Sequence, residues 1–104
     1  MDNFNNDNGW IKKDSGLTNK LEVVKKLIEN GEEINEWGIV GQTTIQTHAS
    51  NGNFEIVKYL LKKGANPYIN DIYGSDNAIT SAVYYGHKNI ADFLIKNYHN
   101  KDTI

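Results

Sequence analysis

The sequence predicts an all-α solenoid of stacked antiparallel helix pairs with projecting hairpin loops, and three observations carry that expectation. Residues 21–31 and 54–64 are near copies of one apolar segment, and residues 89–97 form a weaker third copy. The copies keep step: Gly31 and Gly64 are 33 positions apart, and Gly52 and Gly86 are 34 apart. A period of roughly 33 residues marks a protein built of stacked units, each too small to bury its own apolar face. Within each copy the apolar residues recur at helical spacing.

Taken in order, residues 1–8 are polar and acidic, the reverse of a secretory signal, and are expected to be disordered. Residues 10–18 offer a poor opening helix, with Ser15 and Gly16 at positions where small side chains are wanted. The next helix, over the first copy, ends at Gly31, because glycine takes the left-handed conformation needed just past a helix C-terminus. A turn-rich stretch at 35–41 suits a projecting hairpin. Residues 43–50 read as a short helix closed by Asn51-Gly52, a turn tight enough to force an antiparallel partner. That partner places Phe54, Ile56, Val57, Leu60 and Leu61 on one stripe, puts Lys58 and Lys62 opposite, and stops at Gly64. The pattern then repeats: a loop at 67–75, a short helix at 77–85, the turn Tyr85-Gly86, and the third copy. The expected organisation is one domain over 9–100, divided into an N-terminal cap (9–35), a central repeat (36–69) and a C-terminal cap repeat (70–100).

Bulk composition narrows the function. Hydrophobic residues at 38% and charged residues at 23% are ordinary for a globular chain, and a length of 104 suits one small domain. The net charge of −2, with every basic residue a lysine, argues against nucleic acid or an anionic membrane as target. With no cysteine, disulfides and thiolate metal sites are excluded. The expectation is a monomer working in the cytoplasm, without cofactor or metal.

The central unit resembles the ankyrin repeat. Gly41-Gln42-Thr43-Thr44-Ile45-Gln46-Thr47-His48-Ala49 followed by Gly52-Asn53-Phe54-Glu55-Ile56-Val57, Leu60-Leu61 and Gly64-Ala65-Asn66 is similar to G-x-T-P-L-H-x-A-A-x-x-G-H-x-E-I-V-x-x-L-L-x-x-G-A-D. Gly31-Glu32-Glu33-Ile34-Asn35 fits the family's G-A-D-V-N, and Asp71-Ile72-Tyr73-Gly74 fits its D-x-x-G. The resemblance covers residues 19–97. Thr44 and Ala78 replace the family's proline, Gln46 and Thr80 its histidine, and Ser75 is an extra residue in the second hairpin. The histidine substitutions are expected to alter the hydrogen bonds between neighbouring turns.

No pattern points to catalysis. His48, His87 and His99 lack metal-ligand spacing; His48 stands where the family has alanine and reads as a buried, hydrogen-bonded residue. Glu32 and Glu33 read as a solvated loop, and Asp71 with Asp76 lacks the order of a calcium loop.

What remains, once packing positions are removed, is the surface that the resemblance implies for partners: hairpin tips and the concave face of the first helices. The matching residues are Trp37, Ile39, Val40 and Gln42, with Ser50 and Asn51, then Asn70, Ile72, Tyr73 and Asp76, and finally Tyr84 and Tyr85. Seven of these twelve are large and apolar or aromatic, a composition that suits an interface and not a lone solvated loop. Asp71, Asp76 and Glu36 are expected to make an acidic rim that favours a basic partner. Similarity to small solitary ankyrin immunity proteins implies a dedicated inhibitory binder that covers the active site of a cognate toxin or enzyme. The alternatives are a viral or bacterial host-directed adaptor, a homodimer built on the same patch, and a hydrolase using His48 and Asp76.

Overall fold

A computed structural model describes residues 14–98. It contains a 3-10 turn at Ser15–Leu17 and five helices: α1 (Leu21–Glu29), α2 (Thr44–Ser50), α3 (Phe54–Lys62), α4 (Ala78–Tyr84) and α5 (Lys88–Asn97). Among these residues the only extended pairing is one antiparallel bridge, Trp37 to Thr43, at the base of the first hairpin. Of the poor opening helix expected over 10–18, the described residues show a single 3-10 turn. Trp10 through Lys13, the expected disordered stretch 1–8, and His99 lie outside them.

Two layers result. The 3-10 turn packs on α2 and α2 on α4, while α1 packs on α3 and α3 on α5; the antiparallel pairs α2/α3 and α4/α5 tie the layers together. The core between them is Val24, Ile45, Ala49, Ile56, Val57, Leu60, Ala65, Ala78, Ala82, Ile90, Ala91 and Leu94. The stripe on α3 buries Ile56, Val57 and Leu60, and leaves Lys58 and Lys62 in solvent. Alanines at 49, 78, 82 and 91 let the helices approach closely, and Phe54 meets Phe93 edge-on with ring centroids 5.3 Å apart.

The departures from the repeat pattern have local consequences. Where the family's proline would present no N–H, the Ala78 amide donates to the Pro67 carbonyl at 3.1 Å. Thr80, in the histidine position, closes a capping box: its hydroxyl accepts from the Asn77 amide, and the Asn77 side chain accepts from Thr80 N, both at 2.9 Å. Gln46 reaches to the next repeat instead, donating from Nε2 to Ser81 Oγ at 3.0 Å.

The N-terminal end is closed by polar groups. Ser15 is fully buried; its amide and hydroxyl both donate to the Glu32 carboxylate, and its Oγ lies 2.8 Å from Thr44 Oγ1. Glu32 is therefore half-buried and structural, a correction to the solvated loop read from sequence. His48 lies 2.9 Å by Nε2 from the Ser15 carbonyl and 3.0 Å by Nδ1 from Asn53 Nδ2. These partners fit one neutral tautomer, with Nε2–H donating to the carbonyl and Nδ1 accepting from the amide. Burial, the largest influence, pushes the His48 pKa below its ordinary value, against the opposing pull of the Ser15 carbonyl and the Asp14 charge.

Candidate protein-docking face

Successive hairpins are bonded edge to edge. The Trp37 indole N–H donates to the Asn70 carbonyl at 2.9 Å, and the Ile72 amide to the Gly41 carbonyl at 2.8 Å. Gly41 has φ +82°, and a Cβ there would stand 2.7 Å from Ile72 Cγ2. Only glycine allows that backbone and that contact together. The seam holds the two hairpin tips side by side as one surface.

Along it Ile39, Val40 and Ile72 are each about half exposed, Trp37 is 49% exposed, and Tyr73 is 84% exposed. Trp37 is thus both fastener and surface. On α4, Tyr84 is 79% exposed and touches Tyr85 edge-on at 4.9 Å. Neither ring packs into the first-helix layer.

The second hairpin meets the α4 tyrosines across a pocket of about 130 Å³ lined by Gln42, Gln46, Asp71, Asp76, Ser81, Tyr84 and Tyr85. Ser75, the extra residue, shapes its rim: the Ser75 and Tyr73 amides both donate to Asp71 Oδ1, at 3.0 and 3.1 Å. Asp71 is turned inward and exposes only 9% of its surface, so the acidic rim consists of the exposed Asp76 and Glu36 without it. The Ser75 backbone bond, helped by Gln46, Tyr73 N and the Ser75 side chain, holds the Asp71 carboxyl below its usual pKa despite partial burial. It stays a carboxylate.

A second cleft, of about 360 Å³, opens on the other side of Trp37 and is lined by Asp14, Glu32, Glu33, Glu36, Trp37, Gly38 and Ile39. Sequence reasoning missed Asp14 here: its Oδ2 accepts from the Ile39 amide at 2.7 Å, bracing the first hairpin. The charge of Asp14 was visible in the sequence, but its hydrogen bond spans 25 positions.

Of the twelve residues chosen from sequence, Trp37, Ile39, Val40, Gln42, Asn70, Ile72, Tyr73, Asp76, Tyr84 and Tyr85 fall along the two hairpins and the adjoining pocket. Ser50 and Asn51 do not. The Ser50 hydroxyl is taken by the Gln46 carbonyl at 2.9 Å, and Asn51 lines a separate cleft with Gly16, Leu17, Thr18, Asn19, His48 and Asn53. His48 and Asp76 line different pockets, which removes the geometry a hydrolase would need.

A two-layer stack of helix pairs carrying hairpins along one edge defines a repeat-solenoid interaction module, whose business is binding other proteins. The chain belongs to the ankyrin-repeat family: the model for "Ankyrin repeats (3 copies)" matches residues 15–104. It is 35% identical over 81 residues to the Notch-regulated ankyrin repeat-containing protein of Xenopus tropicalis, covering 77% of this chain and 70% of that one. It is 37% identical over 92 residues to alpha-latrotoxin-Lg1a of Latrodectus geometricus, covering 86% of this chain but 7% of the toxin. With a putative ankyrin repeat protein of Acanthamoeba polyphaga mimivirus the identity is 39% over 61 residues, 59% of this chain and 37% of the viral one. The chain thus spans well under two thirds of several curated relatives. None of the described helices is long and apolar enough to cross a membrane.

Proposed function

We propose that the surface running from Trp37 through Ile39, Val40, Ile72 and Tyr73 to Tyr84 and Tyr85 docks a single protein partner in the cytoplasm. The observation that carries the reading is the solvent exposure of Tyr73 and Tyr84, 84% and 79%, on elements whose backbones are already fixed. Aromatic side chains held out on a stiff frame bury much area for little lost entropy, and so serve as binding anchors. Gln42, Asn70 and Asp76 supply the polar contacts between them; Ser50 and Asn51 stand at the margin.

The finer form of the reading is an inhibitory, immunity-type binder: a preformed aromatic ledge suits covering the cleft of a toxin or enzyme. A host-directed adaptor would use the same ledge, but would hold its partner while leaving that partner's activity intact. Pull-down from host lysate with wild type and a Tyr73→Ala/Tyr84→Ala variant tests the docking face. Both residues are exposed enough to change without disturbing the core, whereas Trp37 is also a fastener. One dominant partner, lost in the variant and inactive while bound, supports the inhibitor. A partner indifferent to both substitutions refutes the site.

The same patch favours one competing reading, self-association through its exposed apolar residues. A native mass that doubles at high protein concentration and returns on dilution, and that Tyr73→Ala abolishes, would establish it.

A further inference from the structure

The pocket beneath the second hairpin is lined by two carboxylates and no cationic side chain. Gln46 is fully buried; its amide N–H groups serve Ser81 and support Asp71, while its Oε1 has no hydrogen-bond partner. A buried carbonyl left unpaired costs about 1–3 kcal/mol, so a donor that reaches Gln46 from the pocket gains by satisfying it. Asp71 opens onto the same space, with Oδ1 engaged by two amides, Oδ2 at 3.3 Å from the Ser75 hydroxyl, and Gln46 beside it. Asp76, exposed, lines it as well, and no lysine or histidine does. Among the described residues the ion pairs lie elsewhere, at Lys58 with Glu55 and Lys88 with Asp92. Tyr84 and Tyr85 form its aromatic side.

We infer that this pocket receives one arginine side chain of the docked protein, its guanidinium donating to Gln46 Oε1, Asp71 and Asp76 against the ring of Tyr84 or Tyr85. The inference rests on the docking face proposed above and names the chemistry its partner must present. Water could satisfy the lone carbonyl but would leave two neighbouring carboxylates unbalanced. The pocket's 130 Å³ leaves room for a group the size of a guanidinium. Several acceptors spread around one site suit a planar group with five fixed donors better than a compact ammonium, and the flat cation can also stack on a tyrosine face.

The test is an NMR titration of the isolated, isotope-labelled protein with blocked arginine (N-acetyl-arginine amide), blocked lysine and blocked citrulline. Citrulline keeps the shape of arginine and loses the charge. The expected result is saturable shifts of the Gln46 side-chain amide and of the Asp71, Tyr84 and Tyr85 backbone signals with arginine. Citrulline should bind about tenfold more weakly or worse, and Asp76→Asn should weaken arginine by a similar factor. Lysine should fall between the two. Equal shifts with citrulline, shifts confined to the Glu32–Glu36 cleft, or no saturation with arginine would each overturn the inference. The docking face is judged separately: partner capture lost on Tyr73→Ala but kept on Asp76→Asn would overturn the arginine pocket and leave the docking face standing. Capture unaffected by either would overturn the docking face, while the titration still decides whether the pocket takes a cation.

Discussion

At the first described turn of the solenoid Ser15 is buried against Thr44 and His48 of α2; in the last repeat, α5 buries Ile90, Ala91 and Leu94. Both ends close the same stack, by different physics. The C-terminal repeat gains from removing apolar surface from water, a non-directional force that depends on filled volume. The 3-10 turn at Ser15–Leu17 buries Ser15 and no apolar side chain. It is fastened by directional bonds from Glu32, His48 and Asp14, each of which stabilises only while its partner is present. The three-residue turn that opens the described residues is thus held by polar partners supplied by the repeat behind it.

Breaking the apolar end should have the largest effect. Leu94→Ala, at a fully buried site, is expected to cost about 3 kcal/mol in denaturant unfolding, with the transition still cooperative because three units leave none to spare. The polar end should give way by a smaller step. Ser15→Ala removes the hydroxyl shared by Glu32 and Thr44 and should cost about 1–2 kcal/mol, as both lose a buried partner. Hydrogen exchange should then quicken first at residues 15–18 and 32–34, with α3 and α5 unchanged. Exchange that quickens uniformly instead would mean that the two ends are not separate closures.

Acid should distinguish the ends as well. The His48 pKa is lowered in the fold, so between that value and 6.5 the unfolded chain binds the proton that the native chain refuses. His48 therefore contributes stability that is present above pH 6.5 and lost as pH falls through its folded value. The midpoint of unfolding should drop as pH falls below 6.5 in wild type and in Leu94→Ala alike. It should stay nearly level in His48→Gln, whose own stability starts lower. Asp71, also lowered from its ordinary 3.8, adds a second loss at more acid pH.

The two ends were also unequally legible in the sequence. The helix pairs followed from spacing alone: Phe54 through Leu61 repeat at helical period, and Gly31, Gly64, Gly52 and Gly86 punctuate them, all with positive φ. Those signals act over a few residues and are therefore written locally. Ser15 with Glu32 spans 17 positions, and Gln46 with Ser81 spans 35, so their pairing depends on how the turns stack. The same distance dependence explains why Glu32 read as a loop carboxylate, whereas Asp71 is turned inward locally, by the Tyr73 and Ser75 amides two and four positions on. For the docking residues, the sequence placed the aromatic side chains on tips but gave no sign that Trp37 is bonded to Asn70, or that Ser50 turns its hydroxyl onto its own helix.

Between the two ends, the hairpin seam should separate stability from binding, with the smallest effect on folding. Tyr73 is 84% exposed, and its side chain makes no hydrogen bond among the described residues. Tyr73→Ala is thus expected to leave unfolding within about 0.5 kcal/mol of wild type, while weakening partner binding by about 2 kcal/mol or more. Gly41→Ala, on the neighbouring hairpin and facing Ile72 and the Tyr73 ring, should do the reverse in part: it strains a φ of +82° and pushes Ile72 off its seat. Its binding loss should therefore track its stability loss. If Tyr73→Ala destabilised the fold as much as Ser15→Ala, the tyrosine would be part of the closure and not of the face that the closures hold in place.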